Sequence, residues 1–373
     1  MFQSLHWRST PAVAPEAASP EAVAPTRAAP GSPPSLPRTP GGADDGVPPD
    51  FDTPAHRPVR DRGRPAIGIA LGGGAARGFA HIGVLKVLRQ AGIHPSVVAG
   101  TSIGAVVGGI AAAGKLDELE DWAISLTKRN VLGLLDFALG GAGLIGGRRL
   151  VELMRRNVGE VSIENLPVVF AAIATELGTG HEIWLTRGDF VEAIRASYAL
   201  PGIFTPVKIG GRWLMDGALV NPVPVSAARA MGARMVIAVN LNADVFGHGT
   251  VIQDHGGVVE RVAEAALGEK KEGIAAMLSP ERLKRQFFAG HGSHASDGPR
   301  GLSTVMIDAF NITQDRIARS RLAGDPPDIM LSPKLGKIGL FEFPRAREAI
   351  AAGAEAAERA LPDIQDAMVA LGA

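Results

Sequence analysis

Two stretches of the chain, "AIGIALGGGAARGFAHIGVL" (66–85) and "SVVAGTSIGAVVGGIAAAG" (96–114), follow one plan. Each opens on a short run of apolar residues, enters a glycine-rich turn and leaves as a helix. A strand that is apolar at every position, and not only at alternate ones, has to be covered on both faces. Helices packed on both sides of a sheet provide that cover. "VVFAAIAT" (168–175), "RMVIAVNL" (234–241) and "DIMLSP" (328–333) read as further strands of the same core. Strands alternating with helical segments predict an α/β fold with a mostly parallel central sheet flanked by helices.

The helical segments follow from apolar spacing. Phe79, Ile82, Leu85 and Leu88 share one face of a helix that Gly92 stops. Further helices are expected at 103–113, about 116–129, 189–198, 302–321 and 344–361. "EIWLT" (182–186) is a strand joined to 168–175 by "ELGTGH", and "VKIGGRWLMDG" (207–217) is a hairpin turning at Gly210-Gly211. "VLGLLDFALGGAGLIGG" (131–147) is apolar and carries one acid, Asp136; it reads either as a core helix and loop or as a flap that meets lipid.

Fourteen of the 27 prolines precede Ile67, and residues 1–64 show no period. Proline withholds the N–H that a helix or ladder needs, so this segment is expected to be a disordered N-terminal tail. The folded domain is then 65–373, with a motif-bearing core at 66–241. The segment 243–300, rich in Gly, His and Ser, reads as a variable insertion.

Lys and Arg total 38, as do Asp and Glu, so there is no basic surplus and nucleic acid is not an expected partner. The chain has no cysteine, which excludes disulfides, thiolate metal sites and a cysteine nucleophile. The first twenty residues lack the apolar core of a secretory signal. Residues 97–114 run uncharged for 18 residues, near the roughly 17-residue lower limit of a membrane span. They hold Thr101, Ser102 and five glycines, however, and read as a buried strand, turn and helix. The expected location is cytoplasmic, without signal peptide or transmembrane helix, and peripheral contact with a membrane stays open. No pattern sets an oligomeric state.

The loop at 72–78 suits a dinucleotide, a phosphate or an oxyanion. Dinucleotide binding needs an acid about 20 residues past the loop, yet no Asp or Glu occurs between Asp61 and Asp117. A phosphate loop needs G-x-x-x-x-G-K-[ST]; "GIAAAGKL" (109–116) ends on Leu116, where a hydroxyl is required. The oxyanion reading needs a nucleophile, and "GTSIG" (100–104) supplies Ser102 between strand and helix, the context of a nucleophile elbow. Gly100 and Gly104 allow the tight turn. A plain βα turn with Ser102 as helix N-cap is the alternative. Around Gly72, Gly73, Gly74 and Gly78 the backbone is bare, and the Gly73 and Gly74 N–H groups open a helix whose dipole favours negative charge. Arg77 either adds charge there, holds an anionic head group, or is structural.

A serine nucleophile needs a base, and the nine histidines are poorly placed. His6 and His56 fall in the tail, His81 packs or caps, His94 lies in a loop and His181 beside a turn. His248, His255, His291 and His294 fall in the insertion. "HEIWL" (181–185) is not a zinc motif, and no cluster has metal-ligand spacing, so no metal is expected. Asp216 in "LMDGALVNPVPV" is either a base or a simple Asp-Gly turn.

The order of G-x-G-x-x-R-G at 72–78, G-x-S-x-G at 100–104 and D-G-A at 216–218 resembles the patatin-like phospholipase family. The likeness is closest to its bacterial members, which are similar to the esterase domain of neuropathy target esterase. "RASYALPGIFTPV" (195–207) and "GLIGGRRL" (143–150) look like the same group. The resemblance implies a three-layer fold and a Ser–Asp dyad without histidine, chemistry that needs no metal or organic cofactor. Ser102 is then the nucleophile, Asp216 the general base and the 72–78 loop the oxyanion hole. The implied substrates are carboxylic esters of phospholipids or lysophospholipids. An esterase of the α/β-hydrolase type, with a histidine from 243–300, and a catalytically silent lipid-binding scaffold remain as alternatives.

Overall fold

The computed structural model describes residues 66–136, 143–244 and 302–372. The expected tail at 1–64, and the insertion at 243–300 apart from its first two residues, lie outside them. In chain order the elements are β1 (Ile67–Leu71), α1 (Ala80–Gln90), β2 (Val97–Thr101), α2 (Ile103–Ala112), α3 (Leu116–Ser125), α4 (Lys128–Leu134), β3 (Gly143–Ile145) and α5 (Arg148–Val158). They continue as β4 (Val169–Glu176), β5 (Glu182–Leu185), α6 (Phe190–Ser197), β6 (Gly202–Phe204), β7 (Val207–Ile209), β8 (Arg212–Asp216) and α7 (Val225–Ala230). β9 (Met235–Val239), α8 (Leu302–Gly324), β10 (Ile329–Leu331) and α9 (Ala346–Ala370) complete them.

The central sheet runs β10-β9-β1-β2-β4-β8-β7, with β5 on the other edge of β4. Strands β10, β9, β1, β2 and β4 are parallel; β5 and β8 pair antiparallel with β4, and β7 pairs antiparallel with β8. β3 and β6 form a separate parallel pair. Side chains alternate across the sheet. Ile69, Leu71, Ile237 and Val239 join the core on one face, under α1, α2 and α9. Ala70, Ala99, Ala171, Val236 and Ala238 join the core on the other, with Val225, Ala227 and Ala228 of α7 and Ala318 of α8. Three layers result, with the sheet buried between them.

Small residues set how closely the layers approach. α1 and α9 cross at Gly83 and Gly353. A Cβ on Gly83 would stand 2.0 Å from the Ile350 oxygen, and one on Gly353 would stand 1.9 Å from the Ala80 oxygen. The expected hairpin at 207–217 turns at Gly210 and Gly211, both with positive φ as a two-residue turn between twisted strands requires.

Three boundaries differ from the sequence expectation. The glycine loop first makes one 3₁₀ turn (Ala75–Phe79), so α1 begins only at Ala80. The helix expected at 116–129 is two helices, because the Thr127 hydroxyl accepts the Asn130 N–H and caps a new start. The last helix runs through Pro362 instead of stopping before it. Proline there denies the Glu358 carbonyl its usual helix partner, but Pro362 and Glu358 are both exposed, on the solvent side of the helix, while Ile364 stays buried.

Candidate functional site

Strand β4 brings together two residues 114 positions apart. β2 lies along one edge of β4 until Thr101, which faces Ile173. β8 takes over that edge one rung further on, where Asp216 faces Ala174. The end of β2 and the end of β8 therefore meet, and the next residue after β2 is Ser102. Its Oγ donates to Asp216 Oδ2 at 2.7 Å.

Ser102 sits at φ 56°, ψ −123°, a left-handed conformation that is strained for a residue with a Cβ. It occupies the N-cap position of α2, yet its side chain makes no capping bond and faces the carboxylate instead. The Ser102 carbonyl takes over the helix start, accepting from the N–H groups of Ala105 and Val106. Gly104 fits where a Cβ would lie 2.1 Å from the Leu71 oxygen, so α2 can start directly against the end of β1. Gly100 is equally tight against the backbone of Ala105. The Ser102 N–H donates to the Oγ of buried Ser197, at 2.9 Å.

Asp216 is buried on a turn that also satisfies its second oxygen: Oδ1 accepts the Ala218 N–H at 2.8 Å. Its backbone is held by Ala199 O, which accepts its N–H, and by Thr175, whose hydroxyl donates to its carbonyl. No cation among the described residues offsets the burial. Desolvation raises its pKa to about 7, against the opposing pull of the Ala218 N–H and the Ser102 hydroxyl.

The glycine loop runs beside this pair. A Cβ on Gly73 would stand 3.5 Å from the Ser102 Cβ and 3.4 Å from the Ala218 Cβ. On Gly78 a Cβ would fall 2.2 Å from the Ile103 side chain, so the loop is pressed onto the residue that follows Ser102. The Gly72 N–H continues the sheet to Val239 O, and the Gly73 N–H donates to Pro222 O at 3.0 Å. The expectation that Gly73 offers a free amide is thus corrected. Ladder-like pairing extends one residue past β1, and the amides left without an acceptor among the described residues are Gly74 and Ala75.

Of the three readings of Arg77, its contacts favour the structural one. Its guanidinium is buried and donates to Ile338 O at 2.8 Å and to Asn242 Oδ1 at 3.1 Å, with Asp244 and Glu342 offsetting the burial that lowers its pKa. It braces the loop against the segment before α9 and is not directed at Ser102. Tyr198 is buried edge-on against Phe204, with centroids 5.2 Å apart, and desolvation raises its pKa. Of the histidines, His81 lies beneath the loop, and His181 and His94 are exposed. His248, His255, His291 and His294 lie outside the described residues.

Two neighbours had no assigned place in the sequence reading. Ser197 falls within "RASYAL", a stretch already noted, but nothing local indicates that its hydroxyl meets Ser102. Gln314 of α8 is buried with Oε1 3.7 Å from the Gly73 Cβ position. It comes from more than 200 residues further along the chain (314 − 73 = 241), and no local signal marks it. Among the described residues no group of three or more His, Cys, Asp or Glu is placed to hold a metal, and no helix is long and apolar enough to cross a membrane.

Residues 69–229 match the family model of the patatin-like phospholipases. An uncharacterized NTE family protein of Mycobacterium tuberculosis is 36% identical over 342 residues, covering 83% of this chain and 94% of that one. The chain belongs to the patatin-like phospholipase family, and its relatives there are NTE family proteins. A second such protein of Mycobacterium tuberculosis is 28% identical over 308 residues, 80% of this chain and 47% of that one. The neuropathy target esterase of Drosophila melanogaster is 32% identical over 183 residues, covering 47% of this chain and 13% of the fly protein. Membership implies a hydrolase acting on lipid esters.

Proposed function

We propose that the protein is a serine acyl hydrolase that cleaves carboxylic esters of phospholipids or lysophospholipids, with Ser102 as nucleophile and Asp216 as general base. The observation that carries the reading is the 2.7 Å bond from Ser102 Oγ to a carboxylate whose pKa burial has raised to about 7. An ordinary aspartate, at about 3.9, is too weak a base to assist a hydroxyl. Asp216 is stronger by about three units and is still largely ionised just above neutrality.

In this mechanism Ser102 Oγ attacks the ester carbonyl carbon as its proton passes to Asp216 Oδ2. The resulting tetrahedral oxyanion is held by the N–H groups of Gly74 and Ala75. Collapse breaks the bond to the leaving alcohol, which takes the proton from Asp216, and Ser102 is left acylated. Water then attacks the acyl carbon and gives its proton to Asp216. A second oxyanion collapses to release the fatty acid, and Ser102 regains its proton. Membership in a family of lipid-ester hydrolases supports the substrate class.

The test is direct. Ser102→Ala is expected to abolish hydrolysis across a panel of phospholipids, lysophospholipids and short acyl esters, and to abolish labelling by a fluorophosphonate. Labelling of wild type at another serine refutes the assignment. So does an active Asp216→Asn enzyme that is silenced by alanine at His248, His255, His291 or His294.

A further inference from the structure

His81 is the one fully buried histidine among the described residues, and the mechanism above gives it no proton to move. Its Nε2 lies 2.8 Å from Gly72 O. A carbonyl oxygen only accepts, so the hydrogen bond places the proton on Nε2 and leaves Nδ1 with a bare lone pair. Nδ1 is buried and has no partner among the described residues. Burial also pushes the pKa of the ring down to about 4, so it stays neutral around neutral pH. A ring already donating its Nε2 proton to the backbone, with the other nitrogen sealed off, is not a base for Ser102.

Its target explains why such a residue is there. Gly72 C=O and Gly73 N–H are the two ends of one rigid peptide unit. The carbonyl end accepts from His81, and the N–H end donates to Pro222 O at 3.0 Å. A Gly-Gly peptide has few steric barriers to turning over. In the inverted orientation a carbonyl would face Pro222 O and an N–H would face His81 Nε2–H, two repulsive contacts replacing two bonds. The following peptide is held similarly, with Gly73 O accepting from Asn242 Nδ2 at 3.4 Å, and that unit carries the Gly74 N–H, which has no acceptor among the described residues.

We infer that His81 is a positioning residue. As the neutral Nε2–H tautomer it locks the Gly72–Gly73 peptide, and so fixes the direction in which the Gly74 and Ala75 amides present themselves to the oxyanion. This inference rests on the Ser102 reading above and deepens it.

Three variants separate the possibilities: His81→Phe, which keeps a buried ring and loses the donor; His81→Gln, whose amide N–H reaches to about the position of Nε2; and Ser102→Ala. With a soluble short-chain ester, His81→Phe is expected to lower kcat about 10- to 100-fold, the scale of a lost or misaimed oxyanion donor, while KM stays within about threefold. Fluorophosphonate labelling of Ser102 should slow by a similar factor, because that adduct also develops charge in the oxyanion site. The rising limb of the pH profile should not move, since Asp216 is untouched. His81→Gln should recover most of the lost rate.

A folded His81→Phe with unchanged kcat overturns the inference, and so does a His81→Gln as slow as His81→Phe. Loss of the pH-dependent limb in His81→Phe overturns it in favour of a histidine base. If the phenylalanine variant does not fold, ¹⁵N spectra of the imidazole in the wild-type protein decide, because an Nδ1–H tautomer at neutral pH is incompatible with the lock. Failure of the Ser102 reading shows itself separately, as wild type that does not label or Ser102→Ala that still turns over.

Discussion

Replacing Asp216 by asparagine removes a buried charge while keeping nearly the same shape, and it sets stability against activity in a way that depends on pH. Asp216 has a folded pKa of about 7 against an unsupported value of 3.8. Below about pH 4 the carboxyl is protonated in both folded and unfolded chains and burial exacts no charge penalty. Between about pH 4 and 7 the folded state keeps a proton that the unfolded state has lost, so stability falls as pH rises. Above about 7 both states are ionised and the whole penalty stands. Three units at 1.36 kcal/mol each give a ceiling of about 4 kcal/mol. Asparagine does not titrate. Its Oδ1 can still accept the Ala218 N–H, while its amide meets Ser102 Oγ as a donor with one N–H unpaired, an offset that does not vary with pH. The slope is therefore the readout. In urea titrations from about pH 5 to 9, the stability of Asp216→Asn relative to wild type should climb with pH by up to about 3 kcal/mol, the part of the ceiling that lies above pH 5, and level off above about 7. Other titrating groups largely cancel in the difference. The same variant should lose about 100-fold or more in kcat through loss of the base. A stability difference flat to within about 0.5 kcal/mol across that range would refute the claim that Asp216 is a destabilised buried carboxylate.

The wild-type rate should follow the same ionisation: kcat/KM for a soluble ester should rise about tenfold per pH unit below about 7 and then flatten, and a profile already flat from about pH 5 removes Asp216 as the base. Ala75 holds φ 48°, a left-handed conformation that a glycine adopts without strain, so Ala75→Gly should stabilise the fold by roughly 0.5–1 kcal/mol after its greater unfolded-state freedom is counted; destabilisation in urea titrations contradicts the strain. Gly353→Ala should destabilise by about 1–3 kcal/mol, because its Cβ would meet the Ala80 carbonyl and force α1 and α9 apart; stability unchanged in the same titrations would disprove the close crossing. Chelators should leave hydrolysis unchanged, and activity lost in chelator and restored by calcium or zinc would mean that the chemistry belongs to a metal.

What was legible in the sequence was legible because it is local. Continuous apolar runs marked β1, β2, β4 and β9, and two glycines in a row marked the hairpin turn that the backbone angles require. The turn around Ser102 was visible because a strand, a small-residue turn and a helix follow one another within a dozen residues. Capping was under-read: Thr127, three residues before Asn130, ended one helix and began another where apolar spacing alone ran straight through. Hydrogen-bond accounting across long separations was out of reach. That Gly73 is already bonded to Pro222, that Arg77 turns to Ile338 and Asn242, and that Ser197 takes the Ser102 amide all depend on segments brought together only in the folded chain.

The order of strands explains why those distant contacts concentrate at one place. β2 stops at Thr101 because Ser102 must turn away, and the vacated edge of β4 accepts β8, so the residue ending each strand lands beside the other. A parallel strand and an antiparallel strand sharing one edge of β4 create a point where the sheet cannot continue its own ladder. Polar groups left over at that point must bond sideways: Thr101 Oγ1 donates to Asn221 O and Thr175 Oγ1 to Asp216 O, both buried. These bonds hold the backbone on either side of Ser102 and Asp216. Strain at Ser102, a charge at Asp216 with no cation and amides at Gly74 and Ala75 with no acceptor among the described residues are all unfavourable for folding. The three-layer core and the lateral bonds hold Ser102 Oγ 2.7 Å from Asp216 Oδ2 and keep the Gly73 backbone beside Ser102 despite those costs.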